Sequence, residues 1–315
     1  MVDRLPRREF LKYAGSVILA GATGLPRRPT GRMRSGPPPG WPFGPGAFWN
    51  EDNPPGRQED ATDAPPDPNA ASSEPTDLDR YDFILPRVRF VELPYKGRGK
   101  GPDLWNVRPG GDANLLREFA NVIRCRVKPI EAAIDWMPQY AREGQLNAVV
   151  TFDEPDLFRR CPFLFMTGEN QFELSPEQKQ NFKDYLVAGG FLLMDDCVVG
   201  SGGDFFYRCS YLLLEELFGQ GSVRPIPRAH EVFHNVYDLG DIGLPFLQYA
   251  QVRGAGHGQN HGAHGLFLGD RLAVFLSSND LHCGWCDGHG TVWGLMGYRQ
   301  TVQMGINLIT YALTH

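Results

Sequence analysis

The stretch that decides the fold is LVAGGFLLMDDC, residues 186–197. Two glycines separate the end of an amphipathic segment from the apolar run FLLM at 191–194. Four successive apolar residues are typical of a strand that is buried on both faces of a parallel sheet. The carboxylates of Asp195 and Asp196 and the thiol of Cys197 follow directly. The sequence therefore predicts an interior strand with chemically useful groups at its carboxyl end.

Segments with helical and strand-like patterns alternate on both sides of this stretch. The segment SPEQKQNFKDYLVAGG (175–190) predicts a helix that starts with a capping box between Ser175 and Gln178 and ends at two glycines. The predicted strands cover 87–93, 147–152, 161–168, 191–196 and 271–280, and the predicted helices cover 111–127 (with Asp112 as its cap), 175–190, 204–219 and 299–315. Such alternation predicts an α/β fold with a mostly parallel sheet and helices on both faces.

The first 35 residues have the character of an export signal. Arg7 and Arg8 are followed by FLK (10–12) and by a weakly apolar stretch at 13–25, which together match the twin-arginine pattern. The apolar stretch is shorter than the roughly 20 residues that a membrane-spanning helix needs. We therefore predict export to the periplasm or cell envelope through the twin-arginine translocation machinery. The only predicted membrane contact is through this segment if it is not cleaved.

Composition separates a linker from a folded domain. Residues 36–80 contain eleven of the 26 prolines and few aliphatic side chains, which predicts a disordered linker. Residues 81–315 then form one domain. Residues 1–35 hold eight Lys and Arg and two acidic residues, so the remaining chain has a net charge of −12 out of a total of −6. An acidic domain of this kind excludes nucleic acid as a partner.

Polar residues follow two of the predicted central strands. Ligands of open α/β sheets bind at the carboxyl ends of the strands. The alternation of side chains along a strand turns Asp195 and Asp196 to opposite faces, so we expect one to face a crevice and the other to hold a loop or helix N-terminus. The candidate ligand-binding residues are Glu169, Asn170, Asp195, Asp196, His230 and Asp280, and the catalytic candidates are Glu169, Asp195, Asp196 and Cys197.

Two later segments, HGQNHGAHG (257–265) and LHCGWCDGH (281–289), are rich in histidine and cysteine. Imidazole and thiolate are ligands of zinc and iron, which makes a transition metal a candidate cofactor. The candidate metal ligands are His257, His261, His264, His282, Cys283, Cys286 and His289. One C-x₂-C motif is a weak signal, and a disulfide between Cys283 and Cys286 is the alternative in an oxidising compartment.

His230 and His234 are four residues apart, which would place them on one helix face. The segment lacks the glutamate of the HExxH pattern, so it does not indicate a zinc protease. Ordering of a loop by hydrogen bonds from His230 is the simpler interpretation.

Six motifs occur in order along the chain: WNVRPGGDANLLREF (105–119), PFLFMTGENQFELSPEQ (162–178), YLVAGGFLLMDDC (185–197), HEVFHNVYDL (230–239), DRLAVFLSSNDLHCGW (270–285) and GINLITYALTH (305–315). This set, spanning about residues 82–315, resembles the bacterial family called domain of unknown function 4159. The resemblance implies a flavodoxin-like fold of the class I glutamine amidotransferase-like type and a cell-envelope setting. It implies no particular reaction.

The amidotransferase likeness raises the question of a nucleophilic Cys197. Those enzymes place the cysteine between glycines on a sharp turn, whereas DDCVVG (195–200) has valines there. The adjacent carboxylates also raise the pKa of the thiol. We therefore expect a packed or disulfide-bonded cysteine. The leading hypothesis is a non-catalytic binding or assembly module with a cell-envelope protein partner, and the alternative is a metal-dependent or thiol hydrolase with its site at the carboxyl ends of the central strands.

Overall fold

A computed structural model describes residues 81–93, 104–106, 109–130, 146–154, 161–197, 204–245, 261–286 and 294–315. The predicted signal segment and linker, at residues 1–35 and 36–80, lie outside the described residues. The same is true of two candidate metal ligands, His257 and His289.

In the described parts of the chain, seven strands form one mixed, mostly parallel sheet. The strands are β1 (Pro86–Val88), β2 (Ala148–Val150), β3 (Phe163–Gly168), β4 (Phe191–Asp196), β5 (Val223–Pro225), β6 (His264–Leu268) and β7 (Arg271–Ser277). Their order across the sheet is β2-β1-β3-β4-β7-β6-β5. The first five strands in this order are parallel, while β6 runs antiparallel to both β7 and β5. The predicted α/β class with a mostly parallel sheet is confirmed.

Within the described residues, five α-helices accompany the sheet: α1 (Pro109–Ile123), α2 (Pro176–Val187), α3 (Phe205–Phe218), α4 (Leu281–Cys286) and α5 (Gly294–Thr314). Short 3-10 helices span Leu104–Asn106 and Glu231–Phe233. Within the part of the chain that the structure describes, no helix combines the length and apolar character of a membrane span.

Alternate residues of the central strands pack into two separate cores. Leu192 and Met194 of β4 contact one core, which includes apolar residues of α2 and α3. Phe191 and Leu193 contact the other core, which includes apolar residues of α1, α4 and α5. Helices therefore cover both faces of the sheet, and all six residues of β4 are buried.

The start of α2 follows the predicted capping box. Ser175 Oγ accepts a hydrogen bond from Gln178 N at 3.2 Å, and Gln178 Oε1 accepts one from Ser175 N at 2.9 Å. Gly189 after the helix has a φ of 109°, a conformation that glycine adopts without steric cost. These local interactions fix the helix entry and the turn that leads into β4.

Three local predictions are wrong. Helix α1 begins at Pro109, so Asp112 lies inside the helix and is not its cap. The strand predicted at 87–93 ends at Val88, and Glu92 forms only an isolated antiparallel bridge with Phe172. The segment between His230 and His234 is a single 3-10 turn, because His230 is its N-cap and His234 its C-cap.

Candidate functional site at the carboxyl ends of the strands

Both carboxylates at the end of β4 accept hydrogen bonds from helix N-termini. The Oδ1 and Oδ2 atoms of Asp195 accept from Leu281 N at 3.1 Å and from His282 N at 2.9 Å, in the first turn of α4. Asp196 Oδ2 accepts from Tyr207 N at 2.7 Å, in the first turn of α3. The two side chains thus point to opposite faces, as the strand alternation predicted. The expectation that only one of them holds a helix N-terminus is wrong, because both do.

The burial of these carboxylates changes their protonation. Burial raises the pKa of Asp195 to about 7, and the nearby charge of Asp280 adds to this effect. Burial also raises the pKa of Asp196 well above its ordinary value, against the opposing effect of the Tyr207 N–H. The charged form of an acid is disfavoured when water is removed from it. Both groups are therefore shifted toward their protonated forms.

Asp280 is a third buried carboxylate at this edge. Its φ of 55° is in the left-handed region, which aspartate enters more readily than most residues. Its Oδ1 atom accepts from Cys283 N at 3.3 Å, and its carbonyl oxygen accepts from Gly284 N at 3.3 Å. Asp195 and Asp280 together accept the first four N–H groups of α4.

Two thiols lie next to Asp280. The Sγ atoms of Cys197 and Cys283 are 3.7 Å apart. Both sulfurs and a carboxylate oxygen of Asp280 lie within 4.8 Å of one another, and all three residues are buried. Hydrogen bonding to Cys283, together with burial, raises the pKa of Cys197 well above its ordinary value. A buried thiol of raised pKa is a poor nucleophile.

Cys286, another predicted ligand of this segment, contacts different groups. Cys286 Sγ donates to the carbonyl oxygen of His282 at 3.4 Å. None of the six cysteines, all of which belong to the described residues, forms a disulfide, so the Cys283–Cys286 pair is not bonded. The structure therefore brings Cys283, but not Cys286, to the strand-end groups Cys197 and Asp280.

A buried ion pair lies on the α1 side of this edge. Arg87 of β1 donates from Nε and Nη2 to the two oxygens of Asp112 at 2.8 and 2.7 Å, and from Nη1 to the carbonyl oxygen of Trp105 at 2.9 Å. Arg87 Nη2 is also 2.7 Å from His282 Nε2, which accepts this bond because a guanidinium only donates. These contacts place His282 in an arginine-centred network.

The pair of charges controls the protonation of Asp112. Burial alone would raise the pKa of this carboxyl, but the charge and hydrogen bonds of Arg87 outweigh it and lower the pKa. Neither Arg87 nor the ion pair was predicted. Arg87 lies in an alternating segment whose polar positions ordinarily face solvent, and no local signal connects it to a residue in another helix.

A second set of acidic groups lies where β1 and β3 end. Glu92 Oε1 accepts from Glu169 N at 3.0 Å, and Glu92 Oε2 accepts from Asn170 Nδ2 at 2.8 Å. Glu92 is buried, whereas Glu169 and Asn170 are half-buried. The predicted residues Glu169 and Asn170 are thus positioned by a glutamate that sequence reasoning missed. The sequence feature that could have indicated Glu92 is its place near the end of the predicted strand segment RVRFVEL (87–93).

Two predicted metal ligands, His261 and His264, lie just before and at the start of β6 and contact the first turn of α3. His261 Nε2 is 2.5 Å from Asp204 Oδ2, and its ring stacks on Tyr207 with the ring centroids 4.4 Å apart. His264 Nδ1 is 3.1 Å from the hydroxyl of Tyr207. Asp204, which sequence reasoning missed, is the acidic partner of His261, whereas the partner of His264 among these groups is Tyr207.

His230 orders a turn. Its Nδ1 atom accepts from Val232 N at 3.2 Å, and its ring contacts Phe267 of β6 and Tyr311 of α5. Burial lowers the pKa of this imidazole, which keeps it neutral.

Comparison with known protein families identifies the chain's family. The family described as Domain of unknown function (DUF4159) matches residues 89–313. No curated protein matches the chain.

Proposed function

The chain belongs to the DUF4159 family, and from this premise we propose that it is an exported binding or assembly module of the cell envelope, without catalysis of its own. We further propose that residues 81–315 have a flavodoxin-like core of the class I glutamine amidotransferase-like type. The strand order β2-β1-β3-β4-β7 supports this assignment, because flavodoxin-like sheets order their five parallel strands 2-1-3-4-5.

One observation carries the proposed lack of catalysis. Asp195 and Asp196, the acidic pair at the end of the central strand, bind helix N-termini through three short hydrogen bonds. A catalytic acid or base has to exchange protons with a substrate, and a carboxylate that holds a buried helix start is not available for this. The pair therefore has a structural role at the starts of α3 and α4.

The thiol at the same edge supports the same conclusion. Cys197 is 2 % exposed, and its pKa is raised well above the ordinary value by its contact with Cys283 and by burial. Nucleophilic cysteines are instead partially exposed and have depressed pKa values. The thiol-hydrolase form of the alternative hypothesis is therefore disfavoured.

The carboxyl edge offers a surface for a protein partner. Val91 and Leu93 are two residues apart in an extended segment and expose 56 % and 38 % of their area. Leu93 N donates to the carbonyl oxygen of Gln171 at 2.7 Å, which holds this segment beside Glu169. Exposed aliphatic side chains beside acidic ones suit an interface with an apolar centre and a polar rim.

Site-specific photocrosslinking tests the binding function. The full chain would carry a photoreactive residue at Val91 in its native cell, with Leu212 of α3, which is 68 % exposed, as the matched control. We expect a discrete adduct with an envelope protein from position 91 and much less from position 212. A chain that stays monomeric and gives no adduct from either position would refute the proposal.

Export is tested separately from binding. We propose that the twin-arginine machinery recognises Arg7 and Arg8, and replacing both by lysine is expected to keep the protein in the cytoplasm. The control is Arg27→Lys/Arg28→Lys, which changes the same residue type behind the apolar stretch. Export that is unaffected by the first double substitution would contradict the proposed route.

A metal-dependent hydrolase is the second candidate function. The observation that favours it is the group formed by Cys197, Asp280 and Cys283, because three protein ligands leave a fourth position for water on a catalytic zinc ion. This candidate requires ester or amide hydrolysis that appears on metal addition and disappears with a chelator. Metal binding without such turnover would leave the binding module as the function.

A further inference from the structure

Three side chains from two distant parts of the chain converge at one buried point. Cys197 follows β4, Asp280 follows β7, and Cys283 lies in the first turn of α4. Their donor atoms are within 4.8 Å of one another, although Cys197 and Cys283 are 86 residues apart in sequence. Two thiols and a carboxylate are all ligand types of divalent transition metals.

The distance between the sulfurs fits a tetrahedral metal ion. Two zinc–sulfur bonds of about 2.3 Å at a tetrahedral angle hold their sulfurs about 3.8 Å apart. The observed Sγ–Sγ distance between Cys197 and Cys283 is 3.7 Å. A disulfide would require the same atoms to approach to about 2.0 Å, with movement of the attached chain.

The backbone places the carboxylate for this role. Asp280 adopts a left-handed conformation that is uncommon for a residue with a side chain, and its Oδ1 atom is held by Cys283 N. This hydrogen bond keeps the carboxylate of Asp280 over the first turn of α4, next to the thiol of Cys283. The ligand position is therefore fixed by the fold before any ion binds.

The charges around this point favour a cation. Asp195, Asp196 and Asp280 place three completely buried carboxyl groups at this edge of the sheet. Buried groups that form anions must be protonated, or be paired with positive charge. A divalent cation supplies that charge next to Asp280 and the two sulfurs.

We propose that Cys197, Asp280 and Cys283 bind one divalent transition metal ion of the zinc class. Each thiol loses its proton to solvent when its sulfur binds the ion, so binding releases about two protons per metal ion. Of the candidate metal ligands that the sequence indicated, the proposed site contains only Cys283, while Asp280 and Cys197 were candidates for ligand binding and catalysis. The site goes beyond the binding function, because a partner can dock on the surface near Val91 whether or not this point holds a metal.

Cobalt substitution provides the test. The full chain, purified under reducing conditions and stripped with a chelator, is titrated with Co²⁺ alone and monitored for thiolate-to-cobalt charge transfer and for tetrahedral visible bands. We expect both signals in the wild type, their displacement by Zn²⁺, and their loss in Cys283→Ser and Cys197→Ser. Asp280→Asn should keep a thiolate signal but bind cobalt more weakly.

Cys286→Ser is the matched control, because Cys286 is a buried thiol of the same helix that lies outside the proposed ligand set. It should bind cobalt as the wild type does. Equal loss of signal in Cys286→Ser and Cys283→Ser would place the metal at the C-x₂-C motif and overturn the assignment. A wild-type protein without thiolate–cobalt absorption, or one recovered with a Cys197–Cys283 disulfide, would overturn the proposal itself.

Misfolding of a variant can be distinguished from a loss of metal binding. Far-ultraviolet circular dichroism identifies any serine variant that fails to fold, and the wild-type titration needs no variant. Photocrosslinking from position 91 in the native cell reports on partner binding independently of the titration. A metal-free protein that still forms the adduct would refute the metal site alone, and a metal-binding protein without an adduct would refute the binding function alone.

Discussion

Asp195 and Asp196 are neighbours in the chain, yet their carboxylates bind the first turns of helices on opposite faces of the sheet. Asp195 accepts from Leu281 N and His282 N, and Asp196 accepts from Tyr207 N. The two-residue period of a strand requires this divergence. The end of β4 therefore connects the two helical layers, because Asp195 binds the start of α4 on one face and Asp196 binds the start of α3 on the other.

The cap formed by Asp196 predicts a measurable loss of stability. Asp196→Ala removes the acceptor of Tyr207 N and is expected to lower the free energy of unfolding by about 1–2 kcal/mol. Asp196→Asn keeps an oxygen of similar geometry and should lose less. Urea denaturation measures both changes, with the exposed Asp270→Ala as the control. An alanine variant as stable as wild type would show that the cap contributes nothing.

The Arg87–Asp112 pair predicts a strong non-additive effect. Asp112→Asn leaves the buried charge of Arg87 without its counter-ion, and we expect a loss of about 3–5 kcal/mol in unfolding free energy. Arg87→Met leaves the buried carboxylate of Asp112 without its counter-ion and should lower the unfolding free energy by a similar amount. The double variant Arg87→Met/Asp112→Leu should cost less than the sum, because no buried charge remains. Urea denaturation of the three variants gives the coupling energy, and strict additivity would contradict the ion-pair interpretation.

Much of the sheet could be predicted because its central elements are decided locally. The apolar run that forms β4 has the bounds that its sequence indicates, Phe191–Asp196, and α2 begins one residue after Ser175. Capping residues and continuous apolar runs act over a few residues, so they are visible without the fold. The twin-arginine signal and linker remain predictions.

The site was less predictable because its contacts are long-range. Arg87 meets Asp112 after 25 residues and His282 after 195, and alternation along a strand indicates a face but not a partner. The hairpin of β6 and β7 had a local signal, the Gly269–Asp270 turn between two apolar runs. It was missed because the preceding glycine and histidine residues resemble a solvated loop.

Asp204 predicts a pH dependence of stability with a defined sign. Burial would raise the pKa of this carboxyl, but His261 and Arg208 outweigh it and lower the pKa. A lowered pKa means that the charged form stabilises the fold above the ordinary aspartate value of 3.8, and this contribution is lost as the pH falls through the lower folded value. The wild-type advantage over Asp204→Asn should therefore be largest near neutral pH and shrink in acid.

Chemical denaturation at a series of pH values measures this difference. The charge of Asp204 also raises the pKa of Asp196 and of Tyr207. The wild type is therefore compared with the single variant Asp204→Asn, in which neither of these residues is substituted. Asp270→Asn on the exposed β6–β7 turn is the control and should show no such trend. A wild-type advantage that grows in acid would reverse the sign and exclude the proposed role of the His261 and Arg208 contacts.

The burial of Cys197 predicts that its thiol reacts only after unfolding. Alkylation by iodoacetamide requires a thiolate that attacks the reagent and expels iodide, and Cys197 is both 2 % exposed and raised in pKa. In native, chelator-treated protein we expect the half-buried Cys209 to be labelled before Cys197, and all cysteines to be labelled in urea. Mass spectrometry of labelled peptides gives the order. Rapid labelling of Cys197 in the native protein would show that its thiolate is accessible. The thiol-hydrolase hypothesis would then explain the end of β4 better than a buried, unreactive cysteine does.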